Sequence, residues 1–249
     1  MLLAIDTSSQ NLSLALVQNG QVVDALDSPT GKQHGVMLPL QIQALLKQNQ
    51  VQPQDLQGLV VGIGPGSYTG VRIGVTAAKM WAVARSCPLY QVSSLALMTS
   101  LIEPLAPGQW VIPLMDARRM SAYLGLYSWD TSGQIQPIIA DGHFDWQEWM
   151  AHYQDQISQQ STITLLGYEI QDFAKAFREK FPQVDLQVLD QMTYLPSVRQ
   201  VDKLVLTPVV EPHLLAPNYG QMTLAEREWM TKTGEDAMDH DHLVDTFLQ

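Results

Sequence analysis

Several stretches of this chain carry side chains able to act on an anion or a metal. Asp6-Thr7-Ser8-Ser9 places a carboxylate beside three hydroxyls directly after the apolar run Leu2–Ile5. That set could order a metal-bound water or meet a phosphate. Gly62-Ile63-Gly64-Pro65-Gly66-Ser67-Tyr68-Thr69-Gly70-Val71-Arg72-Ile73-Gly74 is a glycine-rich run in which the backbone can take positive φ and admit close neighbours. If a helix follows it, the free N–H groups of the first turn point into the run and make an anion site possible. Asp116-Ala117-Arg118-Arg119 offers two adjacent guanidinium groups, the side chain best shaped for phosphate. Pairing of these arginines with the chain's own carboxylates is the more frequent fate and is the expectation here. Asp239-His240-Asp241-His242 contains metal-ligand types, but its spacing matches no specific site, so no metal is expected. Cys87 has no histidine near it in sequence and is expected to be structural.

The elements that position these groups are readable from pattern. Leu59-Val60-Val61 reads as a buried strand and Val71–Arg85 as a helix, so the glycine-rich run is a strand-to-helix turn. It lacks the Gly-Lys-Ser/Thr ending of a Walker loop. Its glycines read G-x-G-x-x-x-G, not G-x-G-x-x-G, and no acidic residue follows the next strand, Leu89–Val92. Gly70, Gly74 and Ala77 instead form a small-residue stripe at i, i+4 and i+7, opposite Arg72, Thr76 and Lys79. Close helix packing is therefore weighted above a phosphate loop. The Thr7–Asn11 segment contains no glycine, which favours capping of the turn by Asp6, Thr7 and Ser8 over wrapping of a phosphate.

Composition bounds the functional classes. The chain has 249 residues, enough for one large or two modest domains, and 46% hydrophobic residues, enough for a core. Its formal net charge of −11 repels nucleic-acid phosphate, so binding of tRNA by the chain alone is not expected. A single cysteine and no recognisable signal peptide point to a reducing cytoplasm. No apolar run reaches the roughly 20 residues of a membrane helix.

Taken in order, Leu12–Val17 and Gln21–Leu26 read as strands joined by the hairpin signal Asn19-Gly20. Gln33–Gln50 reads as a helix with an apolar face at Leu38, Ile42, Leu45 and Leu46, with Pro39 kinking it or marking its first turn. The helix after the glycine-rich run is apolar nearly all round (Val71, Ile73, Val75, Ala78, Met80, Trp81, Ala82), so it needs a second burial partner beyond its own sheet. Ser93-Ser94 caps a helix from Leu95 to about Ile102, and Glu103–Gly108 is a breaker cluster that marks a boundary. The second half supplies strands at 110–115, 122–127, 135–139, 162–166 and 184–189, with helices at Trp146–Tyr153 and Ile170–Phe181. The aromatics Phe144, Trp146, Trp149 and Tyr153 could stack bases, but with almost no Lys or Arg among them packing is the better reading. Residues 193–206 give no clear pattern. Thr223 caps a helix over Leu224–Lys232, and an acidic tail spans 234–249. Within it Leu243, Val244, Phe247 and Leu248 could dock on the body or a partner. Both halves read as strands first and then helices mixed with strands, consistent with two related α/β subdomains.

The run G-P-G-S-Y-T-G-V-R-I-G resembles the signature of the bacterial TsaB (YeaZ) family, a partner subunit in making threonylcarbamoyladenosine in tRNA. The N-terminal order of strand, tight turn, strand, Asn-Gly turn and strand resembles the opening of the actin/Hsp70/sugar-kinase fold to which that family belongs. The resemblance implies two actin-like (ASKHA, ribonuclease H-like) lobes with mixed sheets flanked by helices. The lobes are expected at 1–103 and 104–220, followed by a C-terminal helix and tail at 221–249. Departures are visible. Ser121 stands where the family's D-A-R-R-x-E-V-Y has Glu, Gly220 and Gln221 replace Leu and Arg of P-x-Y-L-R, and the helix implied near 193–206 is shortened.

What the resemblance implies for function is a scaffold with no catalytic residue of its own. It would bind TsaD, the threonylcarbamoyltransferase, with the TsaE ATPase engaging the pair and TsaC supplying threonylcarbamoyl-adenylate. TsaD carries two histidines at i and i+4 on the helix equivalent to Gln33–Gln50. Here His34 is followed at i+4 by Leu38, so no metal site is expected and His34 becomes a surface or capping residue. The helix pair carrying Leu38, Ile42, Leu45, Val71, Val75, Ala78 and Trp81 would contact TsaD, and would form a homodimer when the chain is alone. On this reading Val75→Glu abolishes partner binding and leaves the fold intact. Burial of both helices within one monomer is the competing expectation. No cofactor is expected to bind firmly, ATP or ADP with Mg²⁺ at a partner interface being the open case, and tRNA would be met only through the complex. A second class is an ATP-dependent small-molecule kinase or ATPase using Asp6, the Thr7-Ser8 turn and the Gly64–Gly66 turn around phosphate and Mg²⁺; Asp6, Thr7, Ser8 and Arg118 are the candidate nucleotide contacts. A third, a metallopeptidase, is disfavoured by the missing second histidine.

Overall fold

The computed structural model describes residues 1–31 and 33–220. The expected helix at 224–232 and the acidic tail, with its His/Asp cluster, lie outside the described residues. Two mixed sheets form the frame. The first contains β1 (Leu2–Asp6), β2 (Asn11–Gln18), β3 (Gln21–Pro29), β4 (Gly58–Gly62), β5 (Leu89–Val92) and the short β11 (Thr207–Pro208), in the order β11-β5-β4-β1-β2-β3. The second contains β6 (Trp110–Asp116), β7 (Ser121–Trp129), β8 (Ile135–Asp145), β9 (Thr162–Gly167) and β10 (Asp185–Asp190), in the order β10-β9-β6-β7-β8. Apart from β11 the two orders are the same. β1 pairs antiparallel with β2 and parallel with β4, as β6 does with β7 and β9. The molecule is thus a structural repeat, in agreement with the two actin-like lobes expected from the sequence.

Alternation along the strands divides the first sheet between two cores. Leu3, Ile5, Leu14, Leu16, Leu59 and Val61 face one side, where α1 (His34–Gln48) and α2 (Tyr68–Arg85) cover them. Ala4, Ala15, Val17 and Val60 face the other. The hairpin between β2 and β3 turns at Asn19 and Gly20, both at positive φ, as the Asn-Gly signal requires. On the second sheet, α4 (Trp146–His152), α5 (Gln154–Ser158) and α6 (Gln171–Lys180) close a core around Trp146, Trp149 and Phe177. Trp146 and Trp149 are buried and stack at 5.4 Å, so the aromatic cluster is packing, as expected.

The helix α3 (Ser94–Thr99) lies between the lobes. Ser93 caps it, its side chain accepting from the N–H groups of Leu95 and Ala96. Leu95 and Met98 pack against Val111, Met115 and Trp129 of the second sheet, while Leu97 joins the first sheet's core. The expected second lobe of 104–220 needs correction at its end. Strand β11 pairs antiparallel with β5, and Val198 and Val201 pack on Ala4, Ala15 and Val60. Ser13 Oγ accepts from the N–H of Val198 at 2.9 Å, and Leu215 joins the core beneath α2. Residues 197–216 therefore return to the first lobe. The reason is physical: the small apolar side chains on that face of the sheet need a cover that the short α3 cannot supply alone.

Candidate functional site

Both lobes turn sharply after their first strand. In the first lobe Asp6 is fully buried at the end of β1. Its Oδ1 accepts from the Ser8 N–H at 2.9 Å and Ser8 Oγ at 2.7 Å, and its Oδ2 from Ser94 Oγ at 2.6 Å. Burial pushes the Asp6 carboxyl above the ordinary carboxylate range, against the opposing pull of the Ser94 and Ser8 hydrogen bonds. Thr7 Oγ1 donates to the Gly70 carbonyl at 2.7 Å, and the Ser67 N–H donates to the Ser8 carbonyl at 2.7 Å. A Cβ on Gly70 would stand 2.1 Å from the Thr7 oxygen and one on Gly66 2.3 Å from the Ser8 oxygen. The small-residue stripe thus draws α2 onto the β1–β2 turn. Asp6, Thr7 and Ser8 cap that turn, and the start of α2 is tied to it through the Ser67 N–H and the Gly70 carbonyl. His34 differs from expectation. It is buried, bonded to Thr30 Oγ1 through Nδ1 and to the Ser9 carbonyl through Nε2, so it braces the turn and is not a surface residue.

The glycine-rich turn packs on its outer side against the segment 217–220. Gly64, at φ +97°, would bring a Cβ within 2.4 Å of the Asn218 carbonyl. The Asn218 N–H donates to Ile63 O, and the His143 N–H donates to Gly220 O, both at 2.7 Å. Tyr219 stacks on Tyr68 at 4.6 Å. This short strap crosses from β4 to β8 and joins the lobes. Pro65 is buried, while Ser67 caps α2, accepting from the Gly70 N–H, and Thr69 is exposed.

A second buried carboxylate sits where α3 meets the second sheet. Asp141 accepts from the hydroxyls of Ser93 and of Tyr127, the latter at 2.5 Å. Burial pushes the Asp141 carboxyl up, and burial beside Asp141 pushes the Tyr127 phenol up as well. Nothing local in the sequence marks this trio, because Tyr127 and Asp141 lie 34 and 48 positions beyond Ser93.

The corresponding turn of the second lobe is built differently. Arg118, Arg119 and Met120 all have positive φ, at 76°, 54° and 57°. Each such residue costs about 1–2 kcal/mol relative to the right-handed region. Arg118 and Arg119 are exposed, and neither forms an ion pair or side-chain hydrogen bond among the described residues. The expected pairing with the chain's own carboxylates is not found there. Among the described residues the guanidinium that does pair with a carboxylate is Arg199, with Asp27 at 3.3 Å.

The helix pair presents an open apolar surface. A groove of about 1470 Å³ runs between α1 and α2, lined by Leu38, Ile42, Leu46, Ile73, Ala77 and Trp81 among others. Its lining includes Leu40 and Met80, 54% and 69% exposed. On the same two helices Val36 and Val83 are also exposed. The expected interface set divides here. Leu38 and Ile42 reach the groove floor, and Trp81 is half-buried in its wall. Leu45, Val71, Val75 and Ala78 point the other way, into the first lobe's own core. Val75 is 1% exposed, so Val75→Glu would strand a carboxylate in that core and is no test of a surface.

Known proteins share this architecture. The profile of the family described as "TsaD: tRNA N6-adenosine threonylcarbamoyltransferase" matches residues 28–208. A Bacillus subtilis protein named tRNA threonylcarbamoyladenosine biosynthesis protein TsaB is 37% identical over 153 residues, covering 60% of this chain and 64% of that protein. The Escherichia coli protein of the same name is 32% identical over 139 residues, covering 53% and 57%. The chain therefore spans less than two thirds of either relative. Among solved structures, one described as an uncharacterized protein with similarity to peptidase YEAZ from Pseudomonas aeruginosa superposes with a TM-score of 0.70 at 22% identity. It covers 88% of this chain and 99% of that one. YeaZ from Pseudomonas aeruginosa superposes at 0.63 and 22% identity, covering 82% and 89%. These two likenesses concern the fold.

Proposed function

The chain belongs to the TsaB (YeaZ) family of TsaD-like proteins, and from that premise we propose that it is a non-catalytic subunit of tRNA threonylcarbamoyladenosine biosynthesis, binding a TsaD-like threonylcarbamoyltransferase through the α1–α2 face. The observation that carries the reading is the groove with Leu40 and Met80 exposed along it. Full burial of a side chain of this size stabilises a complex by about 1.5–3 kcal/mol. Exposed apolar residues gathered on one face mark an interaction surface more often than scattered ones do. On this reading the chain alone forms a homodimer through the same face, a TsaE-like ATPase joins the heterodimer, and tRNA is met only through the complex. Any ATP or ADP with Mg²⁺ would sit at the partner interface, in the cytoplasm. The kinase or ATPase alternative has less support, because the β1–β2 turn that would wrap a phosphate is packed against Gly66 and Gly70.

The test is size-exclusion chromatography with light scattering on the full chain mixed with the TsaD-like protein of the same organism. A one-to-one complex is expected, weakened about tenfold or more by Leu40→Glu or Met80→Glu. Both positions are more than half exposed, so neither substitution should lower the unfolding midpoint. Failure to form a complex, with or without nucleotide and the TsaE-like protein, would overturn the proposal.

A further inference from the structure

The charged residues that line the α1–α2 groove are Lys47 and Arg72, both cations. Both are exposed, and neither pairs with a carboxylate among the described residues. Arg72 donates instead to the Tyr68 hydroxyl at 2.9 Å, a neutral acceptor. The chain has 25 acidic and 14 basic residues, so a groove with cations and no acid along it runs against the composition. Its chemistry fits an occupant that is apolar and acidic.

The segment 234–249 lies outside the described residues, and its sequence has that chemistry. It holds Glu235, Asp236, Asp239, Asp241 and Asp245, with no lysine or arginine. Leu243, Val244, Phe247 and Leu248 stand at i, i+1, i+4 and i+5, a spacing that puts four apolar side chains on one face of a helix. Such stretches bind by laying the apolar face into a hydrophobic groove. Here the neighbouring carboxylates would meet Lys47 and Arg72.

The strap delivers the chain to the groove. Tyr219 stacks on Tyr68, which lines the groove at the start of α2, and Gly220 follows it. Leu243 is 23 positions beyond Gly220. By coil statistics a connection of that length spans about 25–30 Å. Helix α2, with 18 residues, is about 27 Å long. The segment can therefore reach any part of the groove. A tether of this span gives an effective concentration on the order of 1 mM. A sequence that binds at about 100 µM as a separate peptide would then be docked about ten to one.

We propose that the segment 234–249 docks in the α1–α2 groove of its own chain and is displaced by the partner. Its competition with the partner rests on the reading of that face given above; the docking itself does not. The test uses the full chain with Cys87 replaced by Ser. Phe247→Cys is combined either with Met80→Cys, in the groove, or with Ile138→Cys, 53% exposed on β8. Under a mild oxidant, a disulfide within one chain should form at least about tenfold faster in the Met80→Cys pair. In a separate titration, the full chain carrying Phe247→Asp/Leu248→Asp should bind the TsaD-like protein about tenfold more tightly than the wild type. Equal trapping rates in the two pairs, or a disulfide between two chains in place of one within a chain, would overturn the docking. Fast trapping with unchanged partner affinity would overturn the competition. If no variant binds the partner, the reading of the face falls and the competition with it, while trapping still decides the docking.

Discussion

Gly70→Ala pits helix propensity against packing, and the structure decides the sign. In an unencumbered helix the change stabilises by up to about 1 kcal/mol. At Gly70 the added Cβ would lie 2.1 Å from the Thr7 carbonyl oxygen and 3.3 Å from its carbon. Both atoms are backbone, so the clash cannot be relieved by rotating a side chain. The start of α2 must move off the β1–β2 turn. That overpacking costs about 1–3 kcal/mol. It also strains two hydrogen bonds, Thr7 Oγ1 to Gly70 O and Ser67 N–H to Ser8 O, each worth about 1 kcal/mol. Setting about 3–5 kcal/mol of cost against about 1 of gain leaves a net loss of roughly 2–4 kcal/mol. Urea unfolding followed by tryptophan fluorescence reads this directly as a fall in midpoint at constant slope. The control is Gly35→Ala in α1, where the nearest atom is Ile73 Cδ1 at 3.9 Å. That change should raise the midpoint, by about 0.5–1 kcal/mol. If both variants stabilised equally, the close approach of α2 to the turn would be wrong, and with it the account of why Gly66 and Gly70 stand there.

Three further outcomes are expected. Arg118→Gly relieves a residue at φ 76° and should stabilise by about 0.5–1 kcal/mol net of glycine's entropy, seen as a thermal shift of about 1–4 °C. Asp141→Asn should flatten the pH dependence of unfolding. Because burial raises the folded carboxyl above its unfolded value of 3.8, the folded state holds the extra proton between those values. Stability in the wild type therefore falls as pH rises through that window, and urea titrations from about pH 4 to pH 7 should show a shallower fall in the variant. Val75→Glu should destabilise by about 3 kcal/mol or more, since it places an unpaired carboxylate at a fully packed position. An unchanged midpoint would mean that α2 does not bury that face.

Sequence carried the frame well because the frame is made by local signals. A continuous apolar run marked β1, an apolar stretch of mixed alternation marked β2, Asn19-Gly20 marked the hairpin into β3, and the glycine-rich run marked a strand-to-helix turn. The small-residue stripe even identified the close side of α2, which Gly70 and Gly74 place against Thr7. Facing was harder. Leu38, Leu45, Val75 and Trp81 are all apolar positions on amphipathic helices. Periodicity groups such residues without saying which edge of the stripe meets a sheet and which lines a groove. The groove's rim residues, Leu40 and Met80, fell outside the expected set for that reason. Pairings distant in sequence left no trace at all. The bonds of Asp141 to Ser93 and Tyr127, the return of Val198 and Val201, and the unpaired state of Arg118 among the described residues depend on where the chain comes back in space.

The returning segment has a consequence for the order in which the polypeptide can mature during synthesis. Strand β5 ends at Val92, yet the residues that complete the first sheet's outer face, Val198 and Val201, come roughly 100 residues later. At about 5–20 residues per second, translation needs about 5–20 s to deliver them. Through that interval Ala4, Ala15 and Val60 lack part of their cover, and the far edge of β5 lacks the partner that β11 later supplies. The N-terminal half therefore cannot finish ahead of the C-terminal half. The nascent chain carries an open sheet edge until its second lobe has been made, and that edge is what a chaperone at the ribosome would have to hold.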